Sequence, residues 1–219
     1  MPDSTGEATT ARGCALTRRR ARQAEILAAA ARVFAAVGYH SAQVARVARE
    51  AGVADGTIYI YFHSKEELLL ELFRQALGRF LVDLDTALGA VADPRQKLLA
   101  LVRHHLTFLG SELQVAVVTQ VELRHSDPDL RRAIGQLVRP YFQRIEGLLE
   151  DGRARGVFDP DLDVPVARRL VFGALDEQVT AWVRSGGRFA LADLTPAVGR
   201  LLLRAVAADA AGPLDGDGQ

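Results

Sequence analysis

The chain has 219 residues, 49% hydrophobic and 25% charged, with a formal net charge of zero. That balance supports a packed core, argues against extensive disorder, and excludes polyanion binding by bulk charge. Cys14 is the only cysteine, which excludes an intrachain disulfide and favours a reducing cytoplasm, and no apolar run approaches the ~20 residues of a spanning helix.

Apolar residues recur at spacings of three and four and strand signals are almost absent, so the sequence predicts an all-α protein of about nine helices. Residues 1–16 read as a mobile N-terminal arm without a continuous apolar stretch. The first helix runs from about Thr17 to Val37 on the stripe Ile26, Ala30, Val33 and Phe34, and Gly38 ends it. Short helices follow over about Gln43–Ala51, closed by Gly52, and about Ala54–Tyr61. Ser64 and Glu67 have the spacing of a capping box, and the fourth helix starts there and runs to about Ala87.

Later boundaries are equally marked. Asp93-Pro94 gives an N-cap followed by proline at the first helical position. Gly110 closes that helix, and Ser111 with Gln114 forms a second possible capping box. Asp127-Pro128 starts a helix to about Arg155, another spans about Pro165–Arg184, and a last one spans about Pro196–Ala208. The expected domains are a short-helix domain over 17–63, a larger helical domain over 64–208, and a flexible tail over 209–219.

Charge is unevenly spread. Residues 11–50 hold Arg12, Arg18, Arg19, Arg20, Arg22, Arg32, Arg46 and Arg49 against Glu25 and Glu50, eight minus two or +6, which fits a local phosphate-binding surface. Within residues 38–68, Val44, Val47 and Ala48 give one short helix an apolar face, Gly52 permits a left-handed turn, and Ile58 and Phe62 pin the next helix. Asp55, Thr57, Tyr59 and Tyr61 fall on other faces, where hydroxyls reach base edges or phosphates. Lys65 opens a helix, where an anion is favoured.

The ordered set Gly38-Tyr39, Val44…Val47-Ala48, Ala51-Gly52-Val53, Gly56-Thr57-Ile58-Tyr59, Tyr61-Phe62 and Ser64-Lys65-Glu66-Glu67-Leu68 resembles the TetR family of transcriptional regulators over roughly residues 17–70. The resemblance implies a homodimer bound to a two-fold symmetric DNA operator, with a larger helical domain for ligand and dimerisation. By position it implies DNA contacts from Gln43, Thr57, Tyr59, Tyr61 and Lys65, and a close backbone approach at Gly56. Ala42 and Gln43 stand where the family usually has threonines, and Ala54 where it often has serine. Ser41 is an alternative cap for the second helix, and Asp55 is expected to pair with an arginine or accept from a cytosine N4.

The stretch Leu113–Leu123 is apolar nearly all round and predicts a central, buried helix, so its polar residues Gln114, Thr119, Gln120 and Glu122 either line a ligand pocket or bond internally. Arg103, His104, His105, Arg124 and His125 suggest a basic cluster beside an apolar tunnel, suited to a fatty tail with a phosphate-bearing head. Adjacent histidines diverge by about 100° on a helix, and there is no metal-ligand, phosphate-loop or nucleophile motif, so neither a metal, a cofactor nor an enzyme is expected.

Gln120–Arg131, Gly152–Phe158 and Gly173–Trp182 look like the C-terminal domain of the FadR-type TetR regulators of fatty-acid degradation. That likeness implies release from DNA by long-chain acyl-CoA, with Arg103 and Arg124 at the CoA phosphates and Gln120 and Tyr141 lining the site. A multidrug-responsive efflux repressor and a DNA-binding protein without a working pocket are the alternatives. Val166, Leu170, Ala174 and Val179, with Val198, Leu201, Leu202 and Ala205, form the expected dimer seam.

Overall fold

The computed structural model describes residues 4–122 and 128–208, with side chains over 16–120 and 128–208. Nine α-helices are described: α1 Ser4–Val37, α2 Val44–Glu50, α3 Asp55–Tyr61, α4 Lys65–Gly89, α5 Pro94–Ser111, α6 Leu113–Val117, α7 Pro128–Ala154, α8 Val164–Arg184 and α9 Thr195–Val206. A π-helical turn, Val118–Glu122, continues α6, and a 3-10 turn, Leu191–Leu194, precedes α9. Arg124, His125 and Asp127 and the expected tail lie outside the described residues.

The backbone is helical from Ser4, well before the expected start at Thr17. Ala8, Ala11, Ala15 and Leu16 are strong helix formers, and no proline interrupts the segment. The chain forms two compact units, Met1–Arg74 and Gln75–Gln219.

In the first unit, Ile26, Ala30, Val33 and Phe34 of α1 are buried with Val47 and Ala48 of α2, Ile58 of α3, and Phe62 and Leu68. Gly38 (φ 79°) ends α1 and Gly52 (φ 66°) turns the chain between α2 and α3. Both take the left-handed region that a Cβ disfavours. The Val53 amide bonds the Ala48 carbonyl at 3.0 Å, which closes the turn.

The capping predictions divide. The Ser64 hydroxyl accepts from the Glu67 amide at 3.0 Å, so the serine half of the box at α4 forms, while the Glu67 carboxylate reaches one residue past the cap and accepts from the His63 amide at 2.6 Å. Asp93 caps α5 through the Gln96 amide at 3.0 Å. Ser111 makes no box: its hydroxyl donates to the Phe108 carbonyl, and α6 starts after Glu112 without a side-chain cap. Ser41 does not cap α2 either, because the N-cap is Gln43, whose side chain makes no cap bond.

In the second unit a single core joins the rest of α4 to α5–α9 through Leu84, Leu98, Leu106, Ile145, Leu175 and Leu202, among others. Asp85 of α4 and Arg144 of α7 form a two-pronged ion pair, both bonds 2.6 Å, and the guanidinium holds the Asp85 carboxyl below its ordinary range. Arg144 also donates to the Pro140 carbonyl at 2.9 Å, one turn back along α7.

Gly152 of α7 is a close approach: a Cβ there would overlap the ring of the buried Phe158. Gly152→Ala is expected to destabilise the protein by about 1–3 kcal/mol through overpacking. Urea unfolding checks this; an unchanged midpoint would mean that the Phe158 ring has room to move.

Candidate nucleic-acid interface and ligand-domain polar sites

The helix-turn-helix presents the predicted residues as follows. Gln43, Gly56 and Tyr59 are exposed, while Thr57, Tyr61 and Lys65 are partly buried. Because Gln43 does not cap α2, its amide is free to bond outward. Ala54 is the N-cap of α3 and, as its methyl requires, makes no side-chain cap. Asp55 is exposed in the first turn of α3 and forms no ion pair among the described residues, so the expected arginine partner is not there.

Ile60 is 67% exposed beside Tyr59. Ile58 and Phe62 account for the buried face of α3, which leaves Ile60 without a signal of its own in the sequence. An exposed isoleucine on a helix of this kind offers an apolar contact to a thymine methyl.

Lys65 is placed differently from expectation. Its Nζ donates to the carbonyls of Tyr39 (2.9 Å), His40 (3.1 Å) and Ala42 (3.2 Å) and lies 4.6 Å from the Tyr39 ring centroid. An ammonium has three donors, and all three are engaged. Lysine at a helix N-terminus opposes the dipole, and the ring of carbonyls offsets that cost.

The basic segment is partly neutralised. Arg22 pairs with Glu25 at 2.7 Å and Arg32 with Glu50 at 2.6 Å. The Arg19 guanidinium lies 5.8 Å from the Tyr61 ring centroid.

In the second unit the buried stretch behaves as predicted at Val115, Ala116 and Val118. Of its polar residues, Thr119 and Gln120 bond internally, and the Glu122 side chain lies outside the described ones. The Thr119 hydroxyl bonds back to the Val115 and Ala116 carbonyls, and Gln114 faces solvent. Gln120 is 8% exposed; its amide nitrogen donates to Asp176 at 2.7 Å and its oxygen accepts from Thr180 at 2.7 Å. Asp176 and Thr180 belong to α8, and no local signal ties them to Gln120 in the sequence.

Tyr141 is buried, with its hydroxyl 2.9 Å from His105 Nδ1 and its ring stacked on that imidazole. Phe80 and Phe108 complete an aromatic cluster with His104. Arg103 is exposed on α5, apart from these buried groups. The expected basic character of the histidines is corrected by their surroundings. Burial holds His105 down to about 3, and burial also lowers His104, whose ring nitrogen lies 2.9 Å from the Phe80 carbonyl. Both are neutral at pH 7 and neither adds charge for a phosphate.

Val179 and Val198, expected on the dimer seam, are core residues, whereas Val166, Leu170 and Leu201 are exposed. Leu162, Val166, Leu170, Leu202 and Ala205 line an apolar groove between α8 and α9. Among the described residues no helix is long and apolar enough to cross a membrane, and no cluster of His, Cys, Asp and Glu could hold a metal ion.

A Gly-closed α2–turn–α3 with polar residues exposed on α3 is the architecture of a helix-turn-helix regulator. The family model for bacterial regulatory proteins of the tetR family matches residues 26–72, and that for the YsiA-like C-terminal region matches 73–205. The chain belongs to the tetR family of bacterial regulatory proteins. It is 36% identical over 191 residues to the fatty acid metabolism regulator protein of Bacillus subtilis, covering 87% of this chain and 98% of that protein. Among solved structures, it resembles the fatty acid degradation regulator FadR from Bacillus halodurans with a TM-score of 0.81 and 41% identity, covering 83% of this chain and 94% of that one. The FadR structure from Bacillus subtilis in complex with stearoyl-CoA matches with a TM-score of 0.80 and 36% identity, covering 86% and 98%.

The His105–Tyr141 pair makes stability pH-dependent. An unfolded histidine titrates near 6.5, whereas folded His105 titrates at about 3. Between these values the unfolded state binds the extra proton, so stability falls as pH drops below 6.5, by up to about 1.4 kcal/mol per pH unit. Urea midpoints of wild type and His105→Phe between pH 7 and pH 5 check this. The variant is expected to show the flatter profile, and parallel profiles would contradict a buried neutral histidine.

Proposed function

We propose that the protein is a cytoplasmic transcriptional repressor that binds a palindromic operator as a homodimer, is released by long-chain acyl-CoA, and controls fatty-acid degradation genes. It acts by binding and carries out no catalysis. The observation that carries this reading is a likeness spanning both units to fatty-acid regulators, one of them solved with stearoyl-CoA.

Gln43, Thr57, Tyr59 and Tyr61 contact DNA, with the backbone at Gly56 close to a phosphate and Ile60 against a thymine methyl. Asp55 narrows the base preference, because its unpaired carboxylate accepts from a cytosine N4 and repels phosphate. Two recognition helices of a dimer must lie about 34–36 Å apart to meet successive major grooves. An effector that binds a differently spaced conformer more tightly draws the population off DNA. Helix α4 is the natural lever, since it begins in the DNA-binding unit and ends in the other.

Arg103 and Arg124 serve the effector's phosphates. Gln120 and Tyr141 line the site through their fixed partners, so they shape it more than they donate to it. The exposed apolar face of Val166, Leu170 and Leu201 is the dimer contact, where two copies of α8 and α9 build a four-helix bundle.

A gel shift on the gene's own upstream DNA, challenged with acyl-CoAs of graded length, tests the effector. Release by long chains is expected; release by none would sink the acyl-CoA reading. Leu170→Glu is expected to give a folded monomer with operator affinity reduced at least about tenfold, since a charge enters an apolar contact. A variant still dimeric by light scattering would place the seam elsewhere.

A further inference from the structure

We propose that His105 is a further ligand-binding residue of the second unit, and that its Nε2–H donates a hydrogen bond to the carbonyl oxygen of the effector's acyl thioester. The inference rests on the acyl-CoA reading and deepens it, by naming the group of the effector that the buried cluster recognises.

His105 is 4% exposed on α5. Its Nδ1 lies 2.9 Å from the Tyr141 hydroxyl, whereas its Nε2 is buried without a partner among the described residues. Burial keeps the ring neutral, so only one of the two nitrogens carries a hydrogen. Tyr141 makes no other hydrogen bond among the described residues, and this decides which nitrogen it is. A hydrogen on Nδ1 would donate to the tyrosine oxygen and strand two groups, the tyrosine O–H and the bare Nε2. A hydrogen on Nε2 lets the tyrosine O–H donate to Nδ1 and strands one group, the Nε2–H. The second arrangement costs less, since each buried group without a partner forfeits its hydration. The two nitrogens of an imidazole point to different sides of the ring, so this donor is directed away from Tyr141.

A donor left over by the internal bonds suits an acceptor brought by a ligand. The surroundings select which acceptor. Phe80 packs edge-on to His105 and Phe108, and Phe172 packs edge-on to Tyr141 and Phe142. Phe108, Phe142 and Phe172 are only partly buried, so a continuous series of rings leads outward from His105. An acyl chain is at home among them. A carboxylate beside His105 would be poorly served. The neighbouring His104 is neutral and its ring nitrogen is already used on the Phe80 carbonyl, 2.9 Å away. The guanidinium groups of Arg79 and Arg168 lie over the outer rings, Phe108 and Phe142. The centre of the cluster therefore offers a neutral donor in an apolar setting, which matches a neutral carbonyl and leaves a buried anion without a charge partner. Tyr141, proposed above to line the site, brings His105 into it.

The test compares stearoyl-CoA with its thioether analogue, S-octadecyl-CoA, in which a methylene replaces the carbonyl. Calorimetric titration of the protein with each reads the value of that one group. Wild type is expected to bind the thioester about tenfold more tightly than the thioether. Tyr141→Phe leaves the Nε2–H in place and is expected to keep the preference. The double variant His105→Phe, Tyr141→Phe removes both buried polar groups at similar volume and is expected to bind the two compounds equally. Equal binding by wild type, loss of the preference in Tyr141→Phe, or a preference that survives in the double variant would each overturn the inference while leaving acyl-CoA binding intact. Failure of stearoyl-CoA to bind wild type would overturn the acyl-CoA reading and the inference together. The wild-type comparison needs no substitution, so it is decisive even where the variants fold poorly.

Discussion

The turn that follows Gly38 governs what the DNA-binding unit can present. A chain leaving α1 through a left-handed glycine must reverse and start α2 within a few residues. Its carbonyls are gathered by one ammonium from the first turn of α4, and Ser64 and Glu67 cap the same turn of that helix. The start of α4 is thus bonded to the start of α2 across more than twenty residues of sequence. Gly52 then sets the α2–α3 turn, and Ile58 and Phe62 fix the rotation of α3 about its axis. The faces left over are those of Thr57, Tyr59 and Ile60. Exposure on this helix is therefore a consequence of what is held beneath it.

The second unit solves a different problem. Its central stretch is too apolar to face water, yet it carries Thr119 and Gln120. Thr119 bonds back within its own turn, and Gln120 is held by Asp176 and Thr180 on α8. The backbone is π-helical at that point, a geometry that alters the direction of side chains from residue to residue and recurs at functional sites. The Tyr141 hydroxyl and His105 Nδ1 likewise meet inside an aromatic cluster, while His105 Nε2 is buried without a partner among the described residues. Buried polar groups tied in pairs specify one packing, because slipping the register strands them at a cost of about 1–3 kcal/mol each.

How legible this was in the sequence follows from the range of each interaction. Helix boundaries came out within one or two residues for α2, α3 and α8, where glycine, proline and caps act locally. The start of α1 did not, because the Ala-rich segment from Ser4 has propensity but no apolar stripe to reveal it. On α3, the exposure of Tyr59 opposite the buried Ile58 and Phe62 could be placed from helical period alone. The engagement of Lys65 could not, since its partners are main-chain carbonyls that carry no side-chain signature. The histidine pair misled for a related reason: two adjacent titratable residues look cationic until burial removes their charge. Val166 and Val179 were both expected on the dimer seam, yet one is 41% exposed and the other fully buried, because thirteen residues at about 100° each set them about 140° apart around the helix.

Inside the second unit α4 is gripped at two points. Helix α4 spans Lys65–Gly89 without a proline, and its later part is held by the Asp85–Arg144 pair and by Phe80 packed on His104 and Tyr141. Phe80 and Asp85 stand five residues apart on α4, about one and a half turns, so the aromatic cluster and the ion pair together fix both the rotation and the axial position of this part of the helix.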